Sequence, residues 1–279
     1  MCCLTTVMDA TPDKLQLVAV LWLCVKLPAV RGVIDRRILA NYRVDPTALG
    51  RVLPEPFEPW TVDGWGIGGI CLIRLTGMRP PGVPAALGMR SENAAHRIAV
   101  EWPQDDERRR GVYVPRRDTD SWLQTALGSR LFSGAYSHAA FETEDGDGEY
   151  FVHMRSDDGA ANVLVDGAAA ETLPADSVFP SLEAASTFFR EGSLGYAPAE
   201  RGVDGTVGDE GERTFEGVEL DTDEWAVEPM QVEDVCSGYF ESERFPDDVV
   251  EFDCALLMRD INHAWRQRES ICVPNPADP

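Results

Sequence analysis

Lysine is almost missing. Lys14 and Lys26 are the only two in 279 residues, which leaves 23 arginines to carry nearly all the positive charge. Against 25 basic side chains stand 48 Asp and Glu, a formal charge of -23. Nucleic-acid binding requires a basic surface to neutralise phosphates, and this balance argues against it. The one basic cluster, ERRRGVYVPRR (Glu107–Arg117), adjoins QDDER and reads as an exposed hairpin of mixed charge. No C-x-x-C pair occurs among the seven cysteines, at 2, 3, 24, 71, 236, 254 and 272. Their scatter and odd number indicate neither a disulfide framework nor a zinc site, and fit the reduced thiols of a cytoplasm. No metal or other cofactor is expected. G-x-S-x-G is absent, so a hydrolase nucleophile elbow has no support. The longest N-terminal apolar run, Leu17–Val25, has nine residues, where a bilayer span needs about 20. No membrane span is expected. Internal repeats are also lacking.

What remains is a chain with 44% hydrophobic residues, enough for a packed core. Self-repulsion at this charge is tolerable where salt is molar and the Debye length falls to about 3 Å. The acidic, lysine-poor composition therefore reads as that of a halophilic, cytoplasmic protein. Residues 1–30 are expected to form an apolar helical extension, docked on the domain or on a partner subunit.

The clearest local signal is Ile34–Glu58, IDRRILANYRVDPTALGRVLPEPFE. Ile34, Ile38, Ala40, Tyr42 and Val44 share one side by the period-2 rule of a half-buried strand. Asp45 stands where a helix N-cap belongs, and Pro46 at the first helical position loses no needed hydrogen bond. Leu49, Val52 and Leu53 form an apolar stripe until Pro54 and Pro56 stop the helix. Downstream, Gly64–Gly69 satisfies G-x-G-x-x-G by letter, but ICLIRL after it is a strand pattern. A nucleotide loop needs a helix there, so the glycines read as a strand bend or a close backbone approach. Short strands are predicted at His96–Trp102 and Gly111–Pro115. Three more, at Leu131–Thr143, Glu149–Ser156 and Ala161–Ala168, are separated by EDGDG and DDG turns. Helices are predicted at Asp120–Leu127 and Ser181–Arg190, and closing strands at Trp225–Cys236 and Val249–Met258. Many antiparallel strands with a few short helices give an α+β fold, mainly an antiparallel β-barrel. The barrel is expected to occupy 31–272 as one domain, with 273–279 as a tail.

YRVDPTALGRVLPEPFEP resembles the opening of the acetoacetate decarboxylase-like superfamily, and within it the uncharacterised YqjF-like family. The resemblance runs from about Val33 to Cys272 and implies that superfamily's barrel and a homo-oligomer. Its decarboxylases use a lysine that forms a Schiff base. The segment carrying their paired lysines matches Ala135-Tyr136-Ser137-His138-Ala139, so His138 and Ala139 stand in the lysine positions. With no lysine after Lys26 the barrel cannot form the usual imine. Ser91-Glu92 matches the segment bearing the active-site glutamate. Asp35-Arg36-Arg37 lies near a substrate-binding arginine, with the register off by one or two. A second acid expected near Gly69-Ile70 is absent.

His138 and Glu92 are therefore the candidate acid–base pair, a carboxylate fixing or charging an imidazole. Arg97, Arg37 and Tyr136 are the candidate ligand-binding residues, since arginine holds a carboxylate bidentately. Three functions follow as expectations. The first is a pocket that binds a small carbonyl or carboxylate compound without imine chemistry. The second is a lyase or isomerase using His138 and Glu92. The third is a structural or stress-associated interaction protein.

Overall fold

Asp45 caps its helix as the sequence predicts. Its Oδ1 accepts from the Ala48 amide at 2.9 Å, and Pro46 opens the helix α1 (Pro46–Val52). The computed structural model describes residues 29–127, 134–199, 212–222, 225–246 and 248–274. The expected N-terminal helix and the start of the strand predicted from Leu131 lie outside them, as does most of the tail.

In chain order the strands are β1 (Ala29–Val44), β2 (Glu58–Pro59), β3 (Thr61–Val62), β4 (Trp65–Arg79), β5 (Met89–Gln104), β6 (Glu107–Thr119), β7 (Ser137–Gly146), β8 (Glu149–Ser156), β9 (Asn162–Ala169), β10 (Leu194–Pro198), β11 (Glu212–Thr222), β12 (Glu228–Ser237) and β13 (Val250–Pro274). The other helices are α2 (Trp122–Leu127) and α3 (Leu182–Glu191), the latter capped by Ser181 Oγ. No helix among the described residues is long and apolar enough to cross a membrane.

Strand pairing closes on itself twice. One circuit runs β1-β4-β5-β6-β7-β8-β9-β12-β13 and back to β1; the other runs β1-β4-β5-β6-β10-β11-β13 and back. Five strands form a wall common to both. β13 serves both circuits because it is long: Leu256 pairs with Pro229 of β12, and Trp265 with Leu220 of β11. Closure removes the unpaired edges that an open sheet would present. At the middle of the wall β4 is buried on both faces from Gly66 to Leu75, and there it reads as a near-continuous apolar run instead of an alternating one.

β1 departs from simple alternation. Its register against β4 slips between Ile34 and Arg36. Ile34 consequently packs with Leu39, Cys71 and Leu256 on one face, while Ile38, Ala40, Tyr42 and Val44 pack on the other. The sequence placed Ile34 with Ile38; a bulge at Asp35 reverses that. The predicted strands at His96–Trp102 and Gly111–Pro115 are likewise the middles of longer ones. Gln104 pairs with Glu107 across a two-residue turn in which Asp105 and Asp106 both have positive φ, 51° and 64°. That is the backbone a tight hairpin requires, and aspartate tolerates it. β4 keeps its glycines for close approach: a Cβ on Gly68 would lie 2.5 Å from the Phe240 ring.

Two histidines are buried with low basicity. His96 packs against Tyr239, and burial, then Arg116 and Arg244, hold it at about 3. Burial and Arg37 hold His263 at about 4. An unfolded histidine takes up its proton below pH 6.5, whereas these folded ones do not until much lower. Stability should therefore be complete above pH 6.5 and fall as the pH drops toward 4. His96→Phe should make that slope shallower by about one proton, or about 1.4 kcal/mol per pH unit. Urea titrations between pH 6 and 4 test this, and an unchanged slope would contradict it.

Candidate functional site

Consecutive arginines on β1 separate onto opposite faces of the common wall. Arg36 points into the nine-strand circuit and is 2% exposed. It pairs in register with Arg74, which pairs in register with Glu92. The Arg36 Nη2 donates to Glu92 Oε2 at 2.7 Å and its Nη1 to Asp145 Oδ1 at 2.8 Å. Arg74 Nε donates to Glu92 Oε1, and its Nη1 to Asp145 Oδ2 at 2.6 Å. Two cations and two carboxylates thus neutralise one another, with Asp145 reaching across from β7. Both oxygens of Glu92 are engaged in this cluster.

Arg37 turns the other way, toward a cavity of about 120 Å³ inside the seven-strand circuit. Three cross-strand rows build its floor. The first joins Arg37, Ile73, Asn93, Thr119 and His138. The second joins Leu39, Cys71, Ala95 and Arg117; the third joins Asn41, Gly69 and Arg97. Side chains in such rows share a face. Small Cys71 and Ala95 therefore lie at the centre, with Arg37, Arg97 and Arg117 around them. Phe189 of α3, Val218 and Leu220 of β11 and Trp265 of β13 complete the walls.

Each arginine is held by something other than a carboxylate. Arg37 Nε donates to Cys71 Sγ at 3.1 Å, and its guanidinium lies 5.6 Å from the Trp225 ring centre. Arg97, 4% exposed, donates to Asn41 Oδ1 and stacks 4.7 Å over Phe189. Gly69 makes room for it, since a Cβ there would lie 3.3 Å from Arg97 Nη2 and 2.6 Å from the Ala40 carbonyl. Burial, and Arg37 nearby, lower the Arg97 pKa to about 10, so it remains a cation at neutral pH. Arg117, 8% exposed, lies 5.7 Å from the Tyr136 ring centre. Arg97 Nε and Arg117 Nη1 have no hydrogen-bond partner among the described residues. Gln124 of α2 closes one side, its Oε1 accepting from Thr119 Oγ1 at 2.6 Å and its Nε2 donating to Ser91 Oγ at 3.3 Å.

Of the residues picked from the sequence, Arg37, Arg97 and Tyr136 all line this cavity. Glu92 and His138 are not brought together. The register puts His138 on the cavity's side of the wall and Glu92 on the far side. His138 Nδ1 is bonded instead to Asp157 Oδ2 at 2.8 Å, and its ring stacks on Trp122 of α2 at 3.7 Å. Sequence reasoning missed Arg117 and Gln124. Arg117 was hidden inside an apparently exposed charge cluster, yet it lies two residues past the apolar run GVYVP, a signal that the strand carrying it is buried. Among the described residues no group of three His, Cys, Asp or Glu is placed to hold a metal ion.

Residues 34–256 match the DUF2071 family, described as an uncharacterized conserved protein. No curated protein matches the chain. Several solved structures share its fold. The acetoacetate decarboxylase of Legionella pneumophila is 11% identical over 88% of each chain, with a TM-score of 0.55. An acetoacetate decarboxylase-like enzyme from Sphingomonas wittichii is 12% identical over 90% of this chain and 94% of that one, also at 0.55. The enduracididine biosynthesis enzyme MppR, complexed with pyruvate, is 10% identical over 89% of this chain and 91% of that one, again at 0.55. Likeness at such identity establishes the architecture and leaves activity to the site itself.

Proposed function

Since the chain belongs to the DUF2071 family and to the acetoacetate decarboxylase-like superfamily, we propose that its seven-strand circuit is a binding pocket for a small carbonyl or carboxylate compound, held without imine chemistry. The observation that carries this reading is the lining: apolar walls around Arg37, Arg97 and Tyr136, with neither a carboxylate nor an amine among the described lining residues. A guanidinium in an apolar cavity offers a carboxylate two parallel donors in a site of low dielectric. An imine needs a primary amine, and the only lysines of the chain are Lys14 and Lys26.

Borohydride trapping distinguishes binding from Schiff-base chemistry. Incubation with acetoacetate or pyruvate followed by reduction should leave the protein mass unchanged, while the same acids raise the melting temperature. An adduct on Lys14 or Lys26 would overturn the reading.

A second reading, general acid–base chemistry by His138, draws on its bond to Asp157. A carboxylate on Nδ1 fixes the tautomer and leaves Nε2 free for proton transfer. In this reading Asp157, not Glu92, is the partner carboxylate. Turnover lost in His138→Ala with affinity kept would favour it; unchanged binding with no turnover in either protein favours the first.

A further inference from the structure

We infer that the pocket selects a small organic dianion, two carboxylates on a short apolar spacer, over a monoanion of the same length. This rests on the acid-binding reading above and adds the charge that the ligand must carry.

Most other arginines of the common wall are matched by carboxylates. Arg36 and Arg74 share Glu92 and Asp145. Arg116 has Asp118 and Asp158, and Arg43 has Glu251 and Asp253. Arg37, Arg97 and Arg117 have cysteine sulfur, an amide oxygen and aromatic faces instead. A chain with 48 acidic residues has ample means to neutralise them, yet among the described residues no Asp or Glu lines the cavity. Concentrated like charge in an apolar cavity is unfavourable until a counter-charge enters. One carboxylate leaves two of the three guanidiniums uncompensated. Two carboxylates leave one, which falls to Arg37, the least buried of the three.

Geometry also favours two separated charges over one concentrated charge. Arg97 and Arg117 lie on adjacent strands, offset by two residues, since Arg117 pairs with Ala95. Arg37 approaches from β1 across Cys71. The three side chains therefore rise from separate points around Cys71 and Ala95, and the floor between those points is apolar. A chain of three to five carbons suits a cavity of about 120 Å³.

The test uses the full chain at fixed ionic strength. Malonate, succinate and glutarate are titrated against propionate, butyrate and valerate, with methyl phosphate as a compact dianion, reading melting temperature and calorimetric affinity. The best dicarboxylate should half-saturate at a concentration at least about 30-fold below its chain-matched monocarboxylate, about 2 kcal/mol. Arg117→Met should collapse that ratio toward unity. Alkylation of Cys71, followed on its own peptide by mass spectrometry, should slow when the dicarboxylate is bound. Equal affinity for the two series overturns the dianion inference and leaves the acid pocket standing. Stronger binding of methyl phosphate overturns the two-carboxylate arrangement. No response to any of the acids overturns both readings. Dicarboxylate binding that neither protects Cys71 nor responds to Arg117→Met places the anion elsewhere and overturns the assignment.

Discussion

Glu92→Gln is expected to lose about 3–5 kcal/mol of folding stability, the loss typical of removing one partner from a buried ion pair. The reason lies in the row Arg36–Arg74–Glu92. Two arginines directly opposite each other on β1 and β4 repel unless anions lie between them. Glu92 accepts from each arginine through one oxygen, and Asp145 does the same from β7. An amide in place of Glu92 offers one acceptor and turns an N–H₂ toward a guanidinium. Asp145 alone then faces two cations, and Arg36 is 2% exposed. Water cannot reach it to compensate. Denaturant titration should show a lower midpoint at unchanged slope, since the same surface is exposed on unfolding. Asp145→Asn should cost less, because Asp145 keeps 18% side-chain exposure where Glu92 has 9%. A Glu92→Gln protein as stable as the parent would mean that the cluster does not hold the wall together. Glu92 would then be open again to a catalytic role.

How far the sequence could be read depended on where the strands bulge. The cap at Asp45, the proline at 46 and the cap at Ser181 are local chemistry and were legible at once. So was the barrel, because strand patterns and turn residues repeat along the chain. The faces of individual residues were less accessible. Period-2 counting holds only between bulges, and β1 has one between Ile34 and Arg36. That slip decides which of Arg36 and Arg37 enters the pocket, and a resemblance with its register off by one or two could not decide it. A second slip, between His96 and Ile98 in the β5–β6 ladder, lies beside Arg97 and near Arg117. Before that slip, Arg116 and Arg117 look like neighbours on a charged tip. In the fold Arg116 meets Asp118 while Arg117 enters the cavity. Glu92 and His138 failed to meet for a related reason: Asn93, not Glu92, shares the row of His138.

Arg97→Met should weaken acid binding by at least about 100-fold while leaving the protein as stable as before, or more so. The two halves have one cause. Arg97 is a cation almost wholly out of water, with an amide as its only side-chain hydrogen-bond partner among the described residues and Arg37 close enough to lower its basicity. A charge held this way opposes folding and favours whatever anion enters. Removing one partner of a buried, hydrogen-bonded charge pair costs about 2–5 kcal/mol of binding, and the upper part of that range applies where no water replaces the lost donor. Methionine fills similar space over Phe189 and needs no counter-ion. Asn41 Oδ1 is then left without its donor, so the single variant carries a small penalty of its own. The double variant Asn41→Leu/Arg97→Met removes that too, and replacing a buried polar pair by apolar side chains is often neutral or stabilising by about 1–4 kcal/mol. Calorimetry on both variants should therefore show affinity falling, while the melting curve shows stability holding in the single variant and holding or rising in the double one. A structural arginine would behave otherwise: its loss would lower the melting temperature and leave any bound acid in place. That outcome would remove Arg97 from the pocket's function.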